Sequence, residues 1–288
     1  MRKHALVVAP LLSFFVFTAS GQDARQMQYV TVNDVELAYE IIGQGEPVLL
    51  IHGGWMGDAF VPMLDEPALD GYMLINYHRR GYGRSGDYRG QTIYKQQASD
   101  ALGLMGELDI PKAHIVGHSF GGGIALQMAM DSPDSVATMV LLEGAMPRIV
   151  EVERPAGRRG PPGNTPVERG NSVMSDMVGE NWQELLEPAI PDVTEQVARG
   201  AVTMEQEGQM NFDRATPEDY QRIQQPVLWV SGDQPLSFLL SYVPDELSSV
   251  VPHVDFSEVS GVGHGLQMVR PEPVAELIAA WLEEHPLQ

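Results

Sequence analysis

Residues 116–122 read VGHSFGG and contain the pattern G-x-S-x-G, with Gly117, Ser119 and Gly121 at its fixed positions. The run before it, AHIVG (113–117), predicts a short buried strand. The run after it, GIALQMAM (123–130), opens a predicted helix that must stop before Pro133. A serine between a strand and a helix is the context this pattern needs. The reason is steric. A nucleophile on a very tight strand-to-helix turn needs small neighbours, so that its hydroxyl projects clear of the sheet and the following amides face a developing anion. Gly121 and Gly122 also let the new helix approach the sheet closely.

Working outward, the chain repeats this alternation. QYVTVNDVELAYEIIG (28–43) predicts a hairpin turning at Asn33-Asp34. PVLLIH (47–52) and YMLINYH (72–78) predict buried strands, and residues 94–107 carry a helical pattern. SVATMVLLE (135–143), QQPVLWVSG (224–232) and HVDFSEV (253–259) are further strands, and EPVAELIAAWLEEH (272–285) is a closing helix. Strands alternating with helices predict an α/β fold: a mostly parallel sheet with helices on both faces. Residues 147–222 break the rhythm. RPAGRRGPPGNTP (154–166) reads as an exposed Pro/Gly/Arg loop. MSDMVGENWQELLEP (174–188) and VTEQVARGAVTMEQEG (193–208) read as amphipathic helices. The expected organisation is a core of residues 22–146 and 223–288 carrying a helical cap, 147–222.

Composition narrows the function classes. The 288 residues carry 39 acidic and 18 basic side chains, a net charge of −21. Such a surface repels nucleic acid and anionic membranes. There is no cysteine, which excludes a disulfide framework, a thiol nucleophile and a lipid-modified cysteine anchor. The first 21 residues, with Arg2 and Lys3 ahead of an apolar run and small residues, have the layout of a signal peptide cleaved before Gln22. The expectation is export to a bacterial periplasm or medium, with no stable membrane association after cleavage.

A serine nucleophile needs a base and oxyanion donors. VSGVGHGLQ (259–267) places His264 in a Gly-flanked loop after the last predicted strand, last in chain order as this strand–turn–helix architecture expects of the base. IHGGW (51–55) follows the first central strand. Its Gly53-Gly54 turn can aim the amide of Gly54 or Trp55 at the site, with the Phe120 amide as the second donor.

Taken in order, IHGGW, YHRRGYGRSG (77–86), VGHSFGG and VSGVGHG resemble the α/β-hydrolase superfamily over nearly the whole chain outside the insertion, which is similar to that superfamily's cap. One departure is visible: His78 stands where the superfamily's D-x-R-G-x-G-x-S motif usually has Asp, an ordinarily structural position. The resemblance offers two places for the acid of a triad. The usual loop, G-x-x-D, here reads GDQP, so Asp233 is displaced and Pro235 holds the expected position. The other place is the end of the strand after the nucleophile helix, where LLEGAMP carries Glu143. Glu143 is the expected acid, buried against His264, and Asp233 the alternative.

The chemistry implied is hydrolysis of carboxylic esters of small or medium apolar substrates through an acyl-enzyme on Ser119, with no metal or organic cofactor. Trp55, Met56, Phe120 and Met146 are candidate substrate contacts, with Met174, Met177 and Trp182 from the cap. Ser119 argues against dehalogenase and epoxide hydrolase chemistry, which in this superfamily uses Asp at the elbow. Proline iminopeptidase-like, lactonase, C–C hydrolase and perhydrolase chemistry stay open, as does a ligand-binding protein of the same fold. The partner expected is a small-molecule ester.

Overall fold

The structure is a computed structural model that describes residues 26–88, 93–149, 163–209, 213–234 and 243–287. The signal segment and most of the 154–166 stretch lie outside these residues. Strands β1 (Gln28–Val32), β2 (Val35–Ile42), β3 (Glu46–Ile51) and β4 (Tyr72–Tyr77) are followed by helix α1 (Tyr94–Glu107), β5 (Ala113–His118), α2 (Phe120–Asp131) and β6 (Val136–Leu142). The insertion carries α3 (Pro166–Val178), α4 (Trp182–Leu186) and α5 (Val193–Gly208), with a short α6 (Pro217–Gln221) near its end. Then come β7 (Val227–Gly232), α7 (Val243–Val250), β8 (Val254–Val259), α8 (Leu266–Val269) and α9 (Pro271–Glu284).

The eight strands form one sheet in the order β1-β2-β4-β3-β5-β6-β7-β8. Only the β1–β2 and β2–β4 pairings are antiparallel. Side chains alternate across the sheet as a pleat requires. Leu49, Ile51, Ile115 and Leu141 pack with α1, α2 and α7 on one face. Val48, Leu50, Val116 and Val140 pack with α9 on the other. Both faces are therefore covered, which is why the central strands read as apolar runs. The chain leaves β3 for β4 on one side and later returns to β5 on the other. That reversal makes a crevice at the carboxyl ends of β3 and β5, where open α/β sheets bind ligands.

The insertion differs in detail from the sequence reading. Helix α3 begins at Pro166, inside the stretch expected to be a loop. Thr165 and Glu168 form a reciprocal capping box there, and Pro166 takes the first-turn position proline tolerates. The helix expected over 174–188 is two, broken at Gly179, whose φ of 125° no helix accommodates. A short parallel bridge joins Arg148–Ile149 to Arg214–Ala215, tying the two ends of the excursion together.

Helix α5 lies along the loop that follows β4. Its side chains at Gln196, Arg199, Thr203 and Glu207 share one face by their three- and four-residue spacing. Gln196 reaches the Asp58 carboxylate, Arg199 the carbonyls of Gly83 and Ser85, and Thr203 the carbonyl of Gly81 at 2.6 Å. A Cβ on Gly200 would fall on the Trp55 carbonyl, so only glycine lets α5 come this close.

Candidate active site

Ser119 sits between β5 and α2 with φ 51° and ψ −116°, a conformation that non-glycine residues rarely adopt. Holding it there costs about 1–3 kcal/mol. The turn is held by its surroundings. The Ser119 amide donates to the Leu142 carbonyl at 3.0 Å, and its own carbonyl accepts from Gly122 and Ala145. A Cβ on Gly121 would occupy the place of the Ile51 carbonyl oxygen, so the third fixed position of the motif is set by close approach to β3.

His264 lies in the loop after β8. Its Nε2 is 2.8 Å from the Ser119 Oγ, and its Nδ1 is 2.6 Å from the Glu143 Oε2. A carboxylate only accepts, so Nδ1 carries the proton and Nε2 is left to accept from the serine hydroxyl. Glu143 is 4% exposed. Its other oxygen accepts from the Gly232 amide at 3.0 Å, so both carboxylate oxygens are satisfied. The residue leaves β6 with φ 42°, while its own amide bonds Val230 of the neighbouring strand β7. An acid at the end of an apolar strand is thus buried with partners that offset its desolvation.

Asp233 is elsewhere. Its Oδ1 accepts from the amides of Gly261 and Val262, at 2.8 and 3.3 Å. It shapes the turn leading to His264 and does not contact the imidazole. The alternative acid is therefore corrected: displaced by two positions from the usual place in its loop, this side chain bonds backbone amides.

His118 and His78 have structural partners. His118 donates from Nε2 to the His264 carbonyl at 2.8 Å. Burial, and then the neighbouring His264, push His118 down to about 3, so it is neutral under ordinary conditions. His78 bonds Asp58 through Nε2 at 2.6 Å and accepts the Arg84 amide at Nδ1. The residue that departs from the family motif is thus embedded in polar contacts of the core.

The HGG turn abuts the nucleophile: a Cβ on Gly53 would lie 2.9 Å from the Ser119 Cβ. Among the described residues, the amides of Gly54, Trp55 and Phe120 donate to no protein acceptor. Trp55 holds φ 73°, a second strained backbone beside the site. Of the expected substrate contacts, Trp55 and Phe120 keep solvent-facing surface. Met56 and Met146 are 1% and 2% exposed and fill the cores on opposite faces of the sheet, so the expectation that they face a substrate is corrected. Met174, Met177 and Trp182 are likewise buried. Met204 of α5 was not anticipated: its sulfur lies over Gly54, where a Cβ would collide with it. The helical pattern of 193–208 was visible in the sequence, but nothing there says which face meets the HGG turn.

Comparison with known proteins agrees with this geometry. The family described as alpha/beta hydrolase fold matches residues 46–271. The chain is 27% identical over 271 residues to a putative carbamate hydrolase, RutD, of Caulobacter vibrioides, covering 89% of this chain and 99% of that one. It is 24% identical over 263 residues to the non-heme chloroperoxidase CPO-A1 of Kitasatospora aureofaciens, covering 83% and 92%. Among solved structures, a putative aryl esterase from Burkholderia cenocepacia superposes with a TM-score of 0.73 at 19% identity, over 90% of this chain and 99% of that one.

Proposed function

The chain belongs to the α/β-hydrolase family, and on that premise we propose that it hydrolyses carboxylic esters of small or medium apolar substrates through an acyl-enzyme on Ser119. The observation that carries this reading is the bonded series Glu143–His264–Ser119, at 2.6 and 2.8 Å.

In the proposed cycle His264 Nε2 removes the Ser119 proton as Oγ attacks the ester carbonyl. Glu143 stabilises the imidazolium that forms and holds its tautomer. The carbonyl oxygen becomes an oxyanion and takes hydrogen bonds from the Phe120 amide and from Gly54 or Trp55. Collapse breaks the C–O bond, and His264 protonates the leaving alkoxide. Water then attacks the acyl-enzyme with His264 again as base, releasing the acid and restoring Ser119. Trp55 and Met204 beside the turn favour apolar groups, and their bulk supports a small or medium substrate.

The likeness to a carbamate hydrolase over nearly the whole chain favours carbamates as a second substrate class. The same nucleophile, base and oxyanion donors serve, with a carbamoyl-enzyme in place of the acyl-enzyme. A panel of p-nitrophenyl esters of graded acyl length beside aryl carbamates, run with an organophosphonate serine probe, tests both. Adduct formation at Ser119 and faster turnover of short esters are expected. A wild-type protein that neither labels at Ser119 nor cleaves any member of the panel would refute the proposal.

A further inference from the structure

The peptide that joins Gly53 to Gly54 is held from behind. The Gly53 carbonyl accepts from the Arg79 Nη2 at 2.8 Å and from the His52 Nδ1 at 2.7 Å. The His52 tautomer is set by its other nitrogen, which accepts the Arg79 amide at 2.9 Å. The chain has no cis peptide bond among the described residues, so the Gly54 N–H points opposite to the Gly53 carbonyl. Fixing that carbonyl toward Arg79 therefore fixes the direction of the Gly54 amide. The turn lies against Ser119, and among the described residues the amide meets no protein acceptor. The same guanidinium lies 5.2 Å from the centre of the Phe120 ring, on the residue that offers the other candidate donor.

Arg79 is 1% exposed, and its carboxylate partner among the described residues is Glu207, on the insertion. The Glu207 Oε1 accepts from Arg79 at 3.0 Å and from Gln97 at 2.6 Å, and its Oε2 accepts from the Tyr82 hydroxyl at 2.7 Å. Burial opposes the charge on Arg79, and Glu207 beside it favours the charge. An arginine deprived of this partner would be an uncompensated buried cation and would have to move.

We propose that Arg79 and Glu207 are a positioning pair for the oxyanion donor of Gly54, with the insertion helix α5 supplying the counter-charge. The inference rests on the reading of Ser119 as an acyl-forming nucleophile. Arg79 acts in two ways without touching substrate. It orients the Gly53–Gly54 peptide, and its cation polarises that peptide so that the Gly54 N–H is a stronger donor as negative charge develops. Both effects act on the transition state and leave ground-state binding little changed, so they fall on kcat.

The experiment compares Arg79→Met, Glu207→Gln and the double variant Arg79→Met/Glu207→Leu with wild type. Four quantities are measured: kcat and KM on a p-nitrophenyl ester, inhibition by a trifluoromethyl ketone that places an oxygen in the oxyanion position, labelling of Ser119 by an organophosphonate, and Tm. The expected result is a kcat lower by roughly 10²–10³-fold in Arg79→Met, the size of losing an oxyanion donor, with KM within about threefold. Trifluoromethyl ketone affinity should fall in parallel. The double variant carries no unpaired buried charge, though Gln97 and Tyr82 lose their Glu207 acceptors, and should keep a cooperative unfolding transition at a Tm lowered by several degrees while its kcat stays low. A double variant that folds normally and keeps kcat and ketone affinity within about threefold of wild type overturns the inference, as does a loss confined to KM or Tm. Failure of the serine-hydrolase reading itself would show in the wild type, as absent labelling.

Discussion

Replacing Glu143 with Gln changes one atom and should remove most of the turnover. Glu143 uses both oxygens, one for the Gly232 amide at 3.0 Å and one for the His264 Nδ1 at 2.6 Å. Gln has one acceptor. If its oxygen stays with Gly232, its NH2 faces Nδ1, which must then become an acceptor. The ring proton moves to Nε2, and His264 can no longer take the Ser119 proton. If the oxygen turns to Nδ1 instead, the NH2 meets the Gly232 N–H donor to donor in a buried site, which costs about 1–3 kcal/mol. The first arrangement is the less costly, and it carries the wrong tautomer. In serine triads that fault lowers turnover by about 10⁴-fold, equivalent to roughly 5.5 kcal/mol of transition-state stabilisation. The assay is kcat on a p-nitrophenyl ester, with Tm measured on the same preparation to show that the variant is folded. Asp233→Asn is the paired control: among the described residues its carboxylate bonds the Gly261 and Val262 amides and not His264, so turnover should stay within about tenfold of wild type. A folded Glu143→Gln protein within tenfold of wild-type kcat, or an Asp233→Asn protein that loses as much as Glu143→Gln, would refute the reasoning.

Met204→Ala removes the side chain that lies over Gly54, so kcat/KM should rise by about tenfold for esters with longer acyl chains and stay level for acetate, as a competitive series on one enzyme preparation would reveal. Gly200→Ala drives a methyl group into the Trp55 carbonyl; the overpacking should lower stability by about 1–3 kcal/mol in urea titration and slow phosphonate labelling of Ser119. His118 is held neutral, down to about 3 against an ordinary 6.5. Between these values the unfolded chain binds a proton the folded chain does not, so this stability is fully present above about 6.5 and is lost as pH falls toward 3. The slope is about 1.4 kcal/mol per pH unit for this histidine. Burial pushes His52 down as well and adds a loss of the same sign. His118→Asn should flatten the acid side of a Tm-against-pH curve, and an unchanged slope would count against the assignment.

The parts of the molecule set by local rules were the legible ones. Helix α5 starts and stops where its pattern does, and every main strand can be placed from its apolar run. Ser119 is legible because its geometry demands small residues at fixed spacing, and that demand is written in the sequence. Glu143 is legible because an acid closes an apolar strand, and charge at such a place needs a partner. The split between α3 and α4 was missed because periodicity runs through Gly179 without signalling a break. The Arg79–Glu207 pair was missed for a different reason: its members are 128 residues apart. Which positions meet across an insertion depends on how helices dock, and a single sequence does not encode that locally. Met56 and Met146 were misread for the same cause, since an apolar residue near a motif can serve a core or a pocket equally well.

The docking of α5 also constrains how a substrate reaches Ser119. A lid that swung on α5 would have to part Gln196 from Asp58, Arg199 from the Gly83 and Ser85 carbonyls, Thr203 from Gly81, and Glu207 from Arg79. Parting them exchanges each for water at about 0.5–1.5 kcal/mol, several kcal/mol in all, so α5 is the more firmly held part of the insertion. Helices α3 and α4 bury Met174, Met177, Trp182 and Leu186 in the apolar core on their side of the sheet, and α3 is joined to α5 by the half-exposed Arg169–Glu205 pair at 3.6 Å. Substitutions at Trp182 should alter substrate entry and KM, while substitutions at Glu207 alter kcat.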